Sequence, residues 1–459
     1  MTSAPRASGS WRPYQLYVLA LLLAVSVLNY LDRTILTVLQ EPMKLELKLT
    51  DWQLGILSGP AFTLFYSFAG VPIARLAERW HRPRLLALTL GFWSLMTALC
   101  GAAAGFVQLA LFRMGVGAGE GGNIPISHAL LAEYFKAQQR GLVMSIVSAA
   151  PSIGGILTPL IGAYIAHTHG WRVAFFVVGL PGILVALVVY FTLREPRLTI
   201  AQPVAAARPS FLSDSKWLFN NRAFLYLFLA AIFIGAGNGG IAAFNISFLV
   251  RTQEMTLTQA GAIFSATAVF GLIGSFFGGW LSDKVADERG RSYVLVPAFG
   301  ALFAFVSYVL VYTQHVTRIV AVLMMSGAFF YNLKNGPMFA AVQNIVPPRM
   351  RSTGAAVFMI AATAIGGGLG PLLTGGLSDF FARNAFGEAD GGFAVACPGG
   401  RSLAGATDAA ATACSAASAT GLRLSLALTA CTFLFAFMLL VISSRSIRRS
   451  TPMREPATA

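Results

Sequence analysis

Arg113 and Glu120 lie seven positions apart in an apolar run long enough to cross a bilayer, where each charge costs roughly 2.5 to 3.5 kcal/mol on insertion scales. Seven residues are close to two helical turns, so the two groups share one face about 10 Å apart. Gly115, Gly117, Gly119, Gly121 and Gly122 leave room on that segment for a neighbouring helix or a ligand. An acid and a base so placed can hold an anionic solute, carry a proton or pair with other buried charges.

Asp32 and Arg33 stand in a second such run. Asp32 lies about six residues from the outer end of its apolar run and Arg113 a similar distance from the outer end of its own, so the two reach one depth and can pair; Glu120 falls two turns deeper. A buried acid beside an arginine stays ionised. Which of Asp32 and Glu120 Arg113 faces therefore decides which one carries a proton; if Arg113 pairs with Asp32 at its own depth, Glu120 lacks an adjacent cation and is the expected proton carrier, with Asp32 its modulator. A structural ion pair or helix cap is the alternative. Arg33 is about 100° round the helix from Asp32, so it either meets the substrate or snorkels to the outer headgroups. Asn332 and Asn335 share a face by their three-residue spacing, with Lys334 pointing off it, either to reach an anionic substrate or to anchor on a carbonyl. Asn123 and Tyr66 complete the expected substrate-binding set.

Composition dictates the setting. The chain has 459 residues, 56% hydrophobic and 11% charged, with mean hydropathy +0.68, against about 25% charged in soluble domains. A polytopic membrane protein is implied. The net charge of +15 comes without a basic tract interleaved with aromatics, which argues against nucleic acid and for basic loops at one membrane face. The first apolar run, near Tyr14 to Val38, is too long for a removable signal and is expected to stay as a span.

Apolar runs fall at roughly 14–38, 52–77, 84–105, 107–132, 140–166 and 171–193, then 223–250, 258–283, 291–313, 316–346, 351–381 and 422–445. These predict an all-α protein of 12 transmembrane helices in two bundles of six, with boundaries 1–193, 194–222 and 223–459. The middle piece begins REPRL, passes Pro203 and an Ala run, and ends FLSDSKWLFNNR; it is read as a cytoplasmic linker whose second part either lies in the interface as an amphipathic helix or remains plain linker. Most of the 33 Lys and Arg fall in the tails, the even-to-odd loops and the linker, which places both termini in the cytoplasm of a plasma (inner) membrane protein. The stretch 382–421 is expected to be a flexible external loop, with Cys397 and Cys414 either bridged or free.

The two sets of spans repeat. Ile153-Gly-Gly-Ile-Leu-Thr-Pro159 lies 212 positions before Ile365-Gly-Gly-Gly-Leu-Gly-Pro371, and the same offset carries Glu120, Asn123 and Pro125 onto Asn332, Asn335 and Pro337. Leu76-Ala-Glu-Arg79 matches Leu281-Ser-Asp-Lys284. Parallel repeats about an axis along the membrane normal, with a site between them, are the expected outcome. The GVGAGEGG run does not signal a nucleotide site, because no strand precedes it. For the glycines of the fifth and eleventh spans, close backbone packing is preferred over a direct part in shaping the path.

On these residues the chain resembles the major facilitator superfamily. RLAERWHRPRLL, with Glu78 and Arg79, is similar to the loop signature of that family between its second and third helices, with His81 where Gly is usual. Asp283 and Lys284 lie in the second copy. Asn29-Tyr30-Leu31-Asp32-Arg33, Arg113 and GAGEGG around Glu120 resemble the Spinster-like branch, whose animal members are associated with export of sphingosine phosphate and lysophospholipids. The resemblance implies a monomeric secondary active transporter without enzymatic activity or a cofactor. The favoured reading is proton-coupled, alternating-access transport of a small amphiphilic or anionic solute in contact with membrane lipids. An organic acid or sugar transporter is the alternative, and a non-transporting receptor a more distant one. Glu78 and Asp283 are expected to dock on the starts of the eleventh and fifth helices, near Arg351 and Arg140, when the cytoplasmic side is shut.

Overall fold

The structure, a computed structural model, describes residues 11–196, 211–287, 290–347, 350–387, 392–403 and 405–449. The first six spans are α1 (Pro13–Leu47), α2 (Asp51–Ser58) with α3 (Pro60–Arg79), α4 (Arg82–Cys100), α5 (Phe106–Glu120) with α6 (Asn123–Tyr134), α7 (Ala137–Val147) with α8 (Ala150–His169), and α9 (Trp171–Thr192). A short α10 (Phe211–Asn220) precedes the second six. These are α11 (Arg222–Thr252), α12 (Leu257–Lys284), α13 (Ser292–Thr313), α14 (Thr317–Asn332) with α15 (Pro337–Ile345), α16 (Arg351–Met359) running through a π turn (Ile360–Gly366) into α17 (Gly367–Phe386), and α19 (Asp408–Arg449), which follows the one-turn α18 (Phe393–Ala396).

Among the described residues, ten helices or nearly continuous helix pairs are long and apolar enough to span. The other two spans are the pairs α5–α6 and α14–α15, and their interruptions sit at equivalent places: one begins after Glu120, the other after Asn332, the residues that the repeat superimposes. The fifth and eleventh spans also depart from α geometry at matching points, at Ser148–Ala149 and at the π turn from Ile360. Discontinuous helices at mid-depth are how transporters free backbone groups for a site.

Caps set several boundaries. Thr50 and Thr256 accept N–H groups three residues on and are answered by Gln53 and Gln259, opening α2 and α12. Asn221 accepts from Ala223 and Phe224 to start α11. Lys48, at φ 52°, ends α1.

Side-chain contacts define two faces. Trp11 meets Phe135 edge to face at 5.6 Å, and the Tyr14 hydroxyl donates to Thr192 O at 3.2 Å, so the start of α1 and the ends of α6 and α9 lie together at a terminal face. At the far face, Trp171 Nε1 donates to Glu46 at 2.6 Å and Arg172 to Gly101 O at 3.1 Å. Phe68, Phe191 and Phe276 are about three-quarters exposed, a pattern unfavourable in water and suited to lipid.

Two expectations change, and an alternative left open in the linker is resolved. α1 continues nine residues beyond 38, because Gln40, Glu41 and Lys44 find buried partners there. The stretch 382–421, read as a flexible loop, carries the end of α17, α18 and the first turns of α19, with Cys397 and Cys414 bridged; helical propensity of the Ala-rich segment from Asp408 extends the last span outward. In the linker, 211–220 is helical and Leu218 is fully buried against the second bundle, so it is packed rather than plain, while residues 197–210, including Pro203, lie outside the described residues.

Candidate functional site

The halves meet tightly at the far face. Gly55 and Gly59 bring α2 and α3 against α17, where an added Cβ would overlap the carbonyls of Pro371 and Gly368; on the opposite flank Gly261 of α12 sits 2.6 Å, from a notional Cβ, to Pro159 O of α8. Around this seam is a buried charge cluster. Arg251 of α11 grips Asp51 with two N–H groups at 2.8 Å each and donates to Glu41 at 2.7 Å. Lys44 meets Asp51 at 2.7 Å. Asp379 of α17 accepts the backbone N–H groups of Asp51 and Trp52 at 3.1 and 2.8 Å, at the N-terminus of α2. Ser378 donates to Asp51 at 2.6 Å. Glu41, Lys44, Asp51, Arg251 and Asp379 are all at most 9% exposed as side chains or residues. This charge cluster was not among the expected site residues, because residues 39–51 fall between two apolar runs and read as a loop; the signal available was the helical spacing of Gln40, Glu41 and Lys44.

Below the seam lies a cavity of about 620 Å³ shared by both halves. Its wall combines Arg33, Arg113 and Lys334 with Thr34, Thr37, Asn238, Asn245, Asn332 and Asn335, and an apolar surface from Phe62, Phe264, Tyr308, Tyr331, Phe339 and Phe358. No carboxylate is among the described lining residues.

Arg113 is 2% exposed and turns its guanidinium onto backbone carbonyls, those of Asp32 at 3.2 Å, Arg33 at 3.4 Å and Leu57 at 3.5 Å. Its expected partner is thus corrected: the Asp32 carboxylate points instead at Trp93, whose Nε1 donates at 3.0 Å. The shared depth holds, but the side chain of Asp32 lies on the face of α1 turned towards α4. Arg33 does not snorkel outward. It stands over Phe62 at 5.0 Å and Tyr66 at 5.8 Å, with Arg113 over the same Phe62 ring at 5.1 Å, so one buried aromatic carries two guanidinium groups.

Glu120, the last residue of α5, is fully buried and outside the cavity wall, with both carboxyl oxygens lacking a hydrogen-bond partner. Contrary to the expectation, it is not without cations: Arg33 and Arg113 both lie within electrostatic reach, and the Asn29 amide, itself without a partner in hydrogen-bond geometry, adjoins it; Tyr30 of the cavity wall is within electrostatic reach as well. Asn123 is 2% exposed and accepts from Ser127 rather than facing the cavity, and Tyr66 stacks on Phe62 at 5.6 Å just behind the wall; both were expected at the substrate. In the second half, Lys334 sits in the break after α14, donates to Asn335 at 2.9 Å and lies 4.4 Å over Tyr331. Asn335 donates to Asn332, and Asn332 to Ala328 O, both at 2.8 Å.

At the terminal face four of the expected gate residues contact their own half. Arg140 donates to Phe135 O at 3.3 Å, Arg351 to Gln343 O at 3.2 Å, and Asp283 accepts from Tyr293 at 2.8 Å, while Lys284 lies over Trp280 at 4.8 Å. Glu78 and Arg79 are exposed at the end of α3. The cavity wall extends towards this side through Met338, Phe339, Phe358 and Met359. The glycines of the fifth and eleventh spans do pack closely: a Cβ on Gly154 would come 2.6 Å from Tyr30 Cβ of α1, and Gly366 and Gly370 abut the backbone of α11.

Residues 22–371 match the family model described as Major Facilitator Superfamily. An MFS-type efflux pump of Mycolicibacterium smegmatis is 31% identical over 358 residues, covering 77% of this chain and 82% of the relative. A probable L-galactonate transporter of Escherichia coli K12 is 28% identical over 332 residues, 69% of this chain and 72% of the relative. The crystal structure of a bacterial homolog to the human lysosomal transporter Spinster, in an inward-facing and occupied conformation, superposes with a TM-score of 0.83 at 29% identity over 97% of this chain and 100% of that one.

Proposed function

The chain belongs to the major facilitator superfamily, and we propose that it is a proton-coupled secondary active transporter that moves a small anionic, amphiphilic organic solute by alternating access. One observation carries the substrate class: cations from both halves, Arg33 and Arg113 on one side and Lys334 on the other, line a single cavity whose described wall holds no carboxylate. An anion satisfies all three, and the phenylalanine and tyrosine surface beside them suits an alkyl or lysolipid tail. The sugar-acid reading remains in play for the same reason, since the L-galactonate relative is named for an anion and the asparagines offer hydroxyl partners.

Glu120 is the proton site in this proposal. Burial without hydrogen-bond donors disfavours its ionised form while Arg33 and Arg113 nearby favour it, and between these opposing effects a proton can be both bound and released; Tyr30 gives it a neighbour on the cavity wall. By the distribution of Lys and Arg, the terminal face is cytoplasmic, the far face external and the conformation open inward. Glu78, Asp283 and the basic groups beside them then serve the opposite, inward-closed state.

Purified protein tested by thermal shift with a lysophospholipid, a sphingoid phosphate and an aldonate at two pH values discriminates the readings. A larger stabilisation by the two lipids supports the amphiphile. Stabilisation by the aldonate alone replaces it with the sugar-acid reading, and no response to any anion overturns the assignment of the cavity.

A further inference from the structure

The far gate carries a cover that belongs to the second half. After α18 the chain makes a tight turn, Pro398–Gly400, and Cys397 is bridged to Cys414 near the start of α19. Both cysteines are at most 2% exposed and pack with Ala382, Phe393 and Ala417, all of that half. The turn itself reaches across to the other half. Gly399 and Gly400 adopt φ of 70° and 83°; a Cβ on Gly399 would lie 2.9 Å from Lys44 O and 3.2 Å from Lys48 Cα, and one on Gly400 3.2 Å from Lys44 Nζ. Lys44 is one of the two cations, with Arg251, that hold Asp51. Four residues beyond Cys414, Ser418 accepts from Arg251 at 3.4 Å. Two successive left-handed residues can approach a neighbouring backbone this closely only as glycine, and glycine is the residue with most conformational freedom to lose.

We propose that the disulfide-held turn Pro398–Gly400 is a redox-sensitive latch on the far gate: oxidised, it keeps its grip on Lys44 and favours closure, and reduced, it lets the gate open more readily. The inference rests on the alternating-access reading, because the contact between turn and α1 must part whenever the halves separate at that face. The bridge restricts the turn in the open state, where nothing else shapes it, so the ordering needed for closure is already in place. Reduction requires a dithiol. One of its thiolates attacks a cysteine sulfur and breaks the S–S bond to form a mixed disulfide; its second thiol displaces that cysteine, leaving the reductant as a cyclic disulfide and Cys397 and Cys414 as thiols. On the sidedness proposed above, the far face meets an oxidising compartment in which the latch is normally set.

The backbone N–H groups of Asp51 and Trp52 are a built-in reporter, since both donate across the halves to Asp379. Hydrogen exchange of the full-length protein in lipid nanodiscs, with and without dithiothreitol, reads them directly. Exchange of the segment containing Asp51 and Trp52 is expected to rise on the order of threefold to tenfold on reduction, with α4 and α13 unchanged. The Cys397→Ser/Cys414→Ser double variant should match the reduced protein without reductant, and Gly400→Ala, with the bridge intact, should show the same gain. Equal exchange in oxidised and reduced protein overturns the latch, as does a gain spread over the whole second half, which marks a general staple. Arg251→Ala separates the layers: if it too leaves the segment unchanged, the gate reading itself falls, and the latch with it.

Discussion

Asp379 caps the helix that begins at Asp51 from the other half of the molecule, its two carboxylate oxygens taking the N–H groups of Asp51 and Trp52. A carboxylate on a helix N-terminus across the halves was anticipated at the opposite face, for Glu78 and Asp283. The structure places such a contact at the far face, where the halves are shut. The two faces can then use one device in turn, each contact made only in the state that closes its side.

Asp379→Asn should weaken far-face closure, because it removes the charge from the α2 dipole while leaving an amide oxygen to accept one N–H; about 0.3–2 kcal/mol is at stake. Glu78→Gln should act in the opposite direction, favouring the conformation described here. Paired spin labels across each face report both. Identical distance distributions in the two variants and the native protein would remove helix capping from the gating account.

The parts that could be read in advance are those whose physics is local to a helix. Two sets of six spans, the repeat and the buried charges all follow from apolar run length, and the interruptions after Glu120 and Asn332 coincide with the repeat that aligned them. Side-chain direction was not legible. Asp32 and Arg113 share a depth, yet whether a carboxylate or a carbonyl meets the guanidinium depends on the rotation of α1 against α4, which is set by Trp93 and the packing around it. The far gate escaped notice because its five charged residues come from four separate segments, and only the folded seam gathers them.

Gly55→Leu should trap the transporter away from the conformation described here. Any Cβ at residue 55 overlaps the Pro371 carbonyl, and backbone offers no rotamer with which to yield. Substrate flux should be lost while the melting temperature of the protein stays close to the native value, since the clash exists only when the far face is shut. Native flux in the variant would mean that the α2–α17 seam opens little during transport.

Among the three cations, Arg113 and Lys334 should contribute unequally. Arg113 is almost wholly buried, so Arg113→Ala leaves a bound anion without its desolvated partner, a loss of about 2–5 kcal/mol; Lys334 is half-buried at the mouth of a helix break, and Lys334→Ala should lose about 1 kcal/mol or less. Calorimetric titration with the anion that most stabilises the protein measures both. Retained affinity in Arg113→Ala would confine that residue to holding the carbonyls of Asp32, Arg33 and Leu57.

Glu120→Gln is the sharpest test of coupling. The carboxyl group is fully buried at the end of α5, both its oxygens lack donors, and the helix breaks immediately after it, so a small movement of α6 against α5 changes what it meets. Glutamine is a stand-in for the protonated acid, and the variant should therefore bind substrate with near-native affinity. It should fail, however, to accumulate substrate in proteoliposomes in response to a pH gradient, because it has no proton to release when the cavity changes sides. Asp32→Asn acts through a different contact: the Trp93 N–H keeps an acceptor, but the charge near Arg113 and Glu120 is gone, and the pH dependence of transport should shift while gradient-driven accumulation persists. If Glu120→Gln vesicles instead accumulate substrate at the native rate, the proton site is not Glu120. Asp32 then becomes the candidate, since its second carboxylate oxygen, like those of Glu120, is buried without a partner.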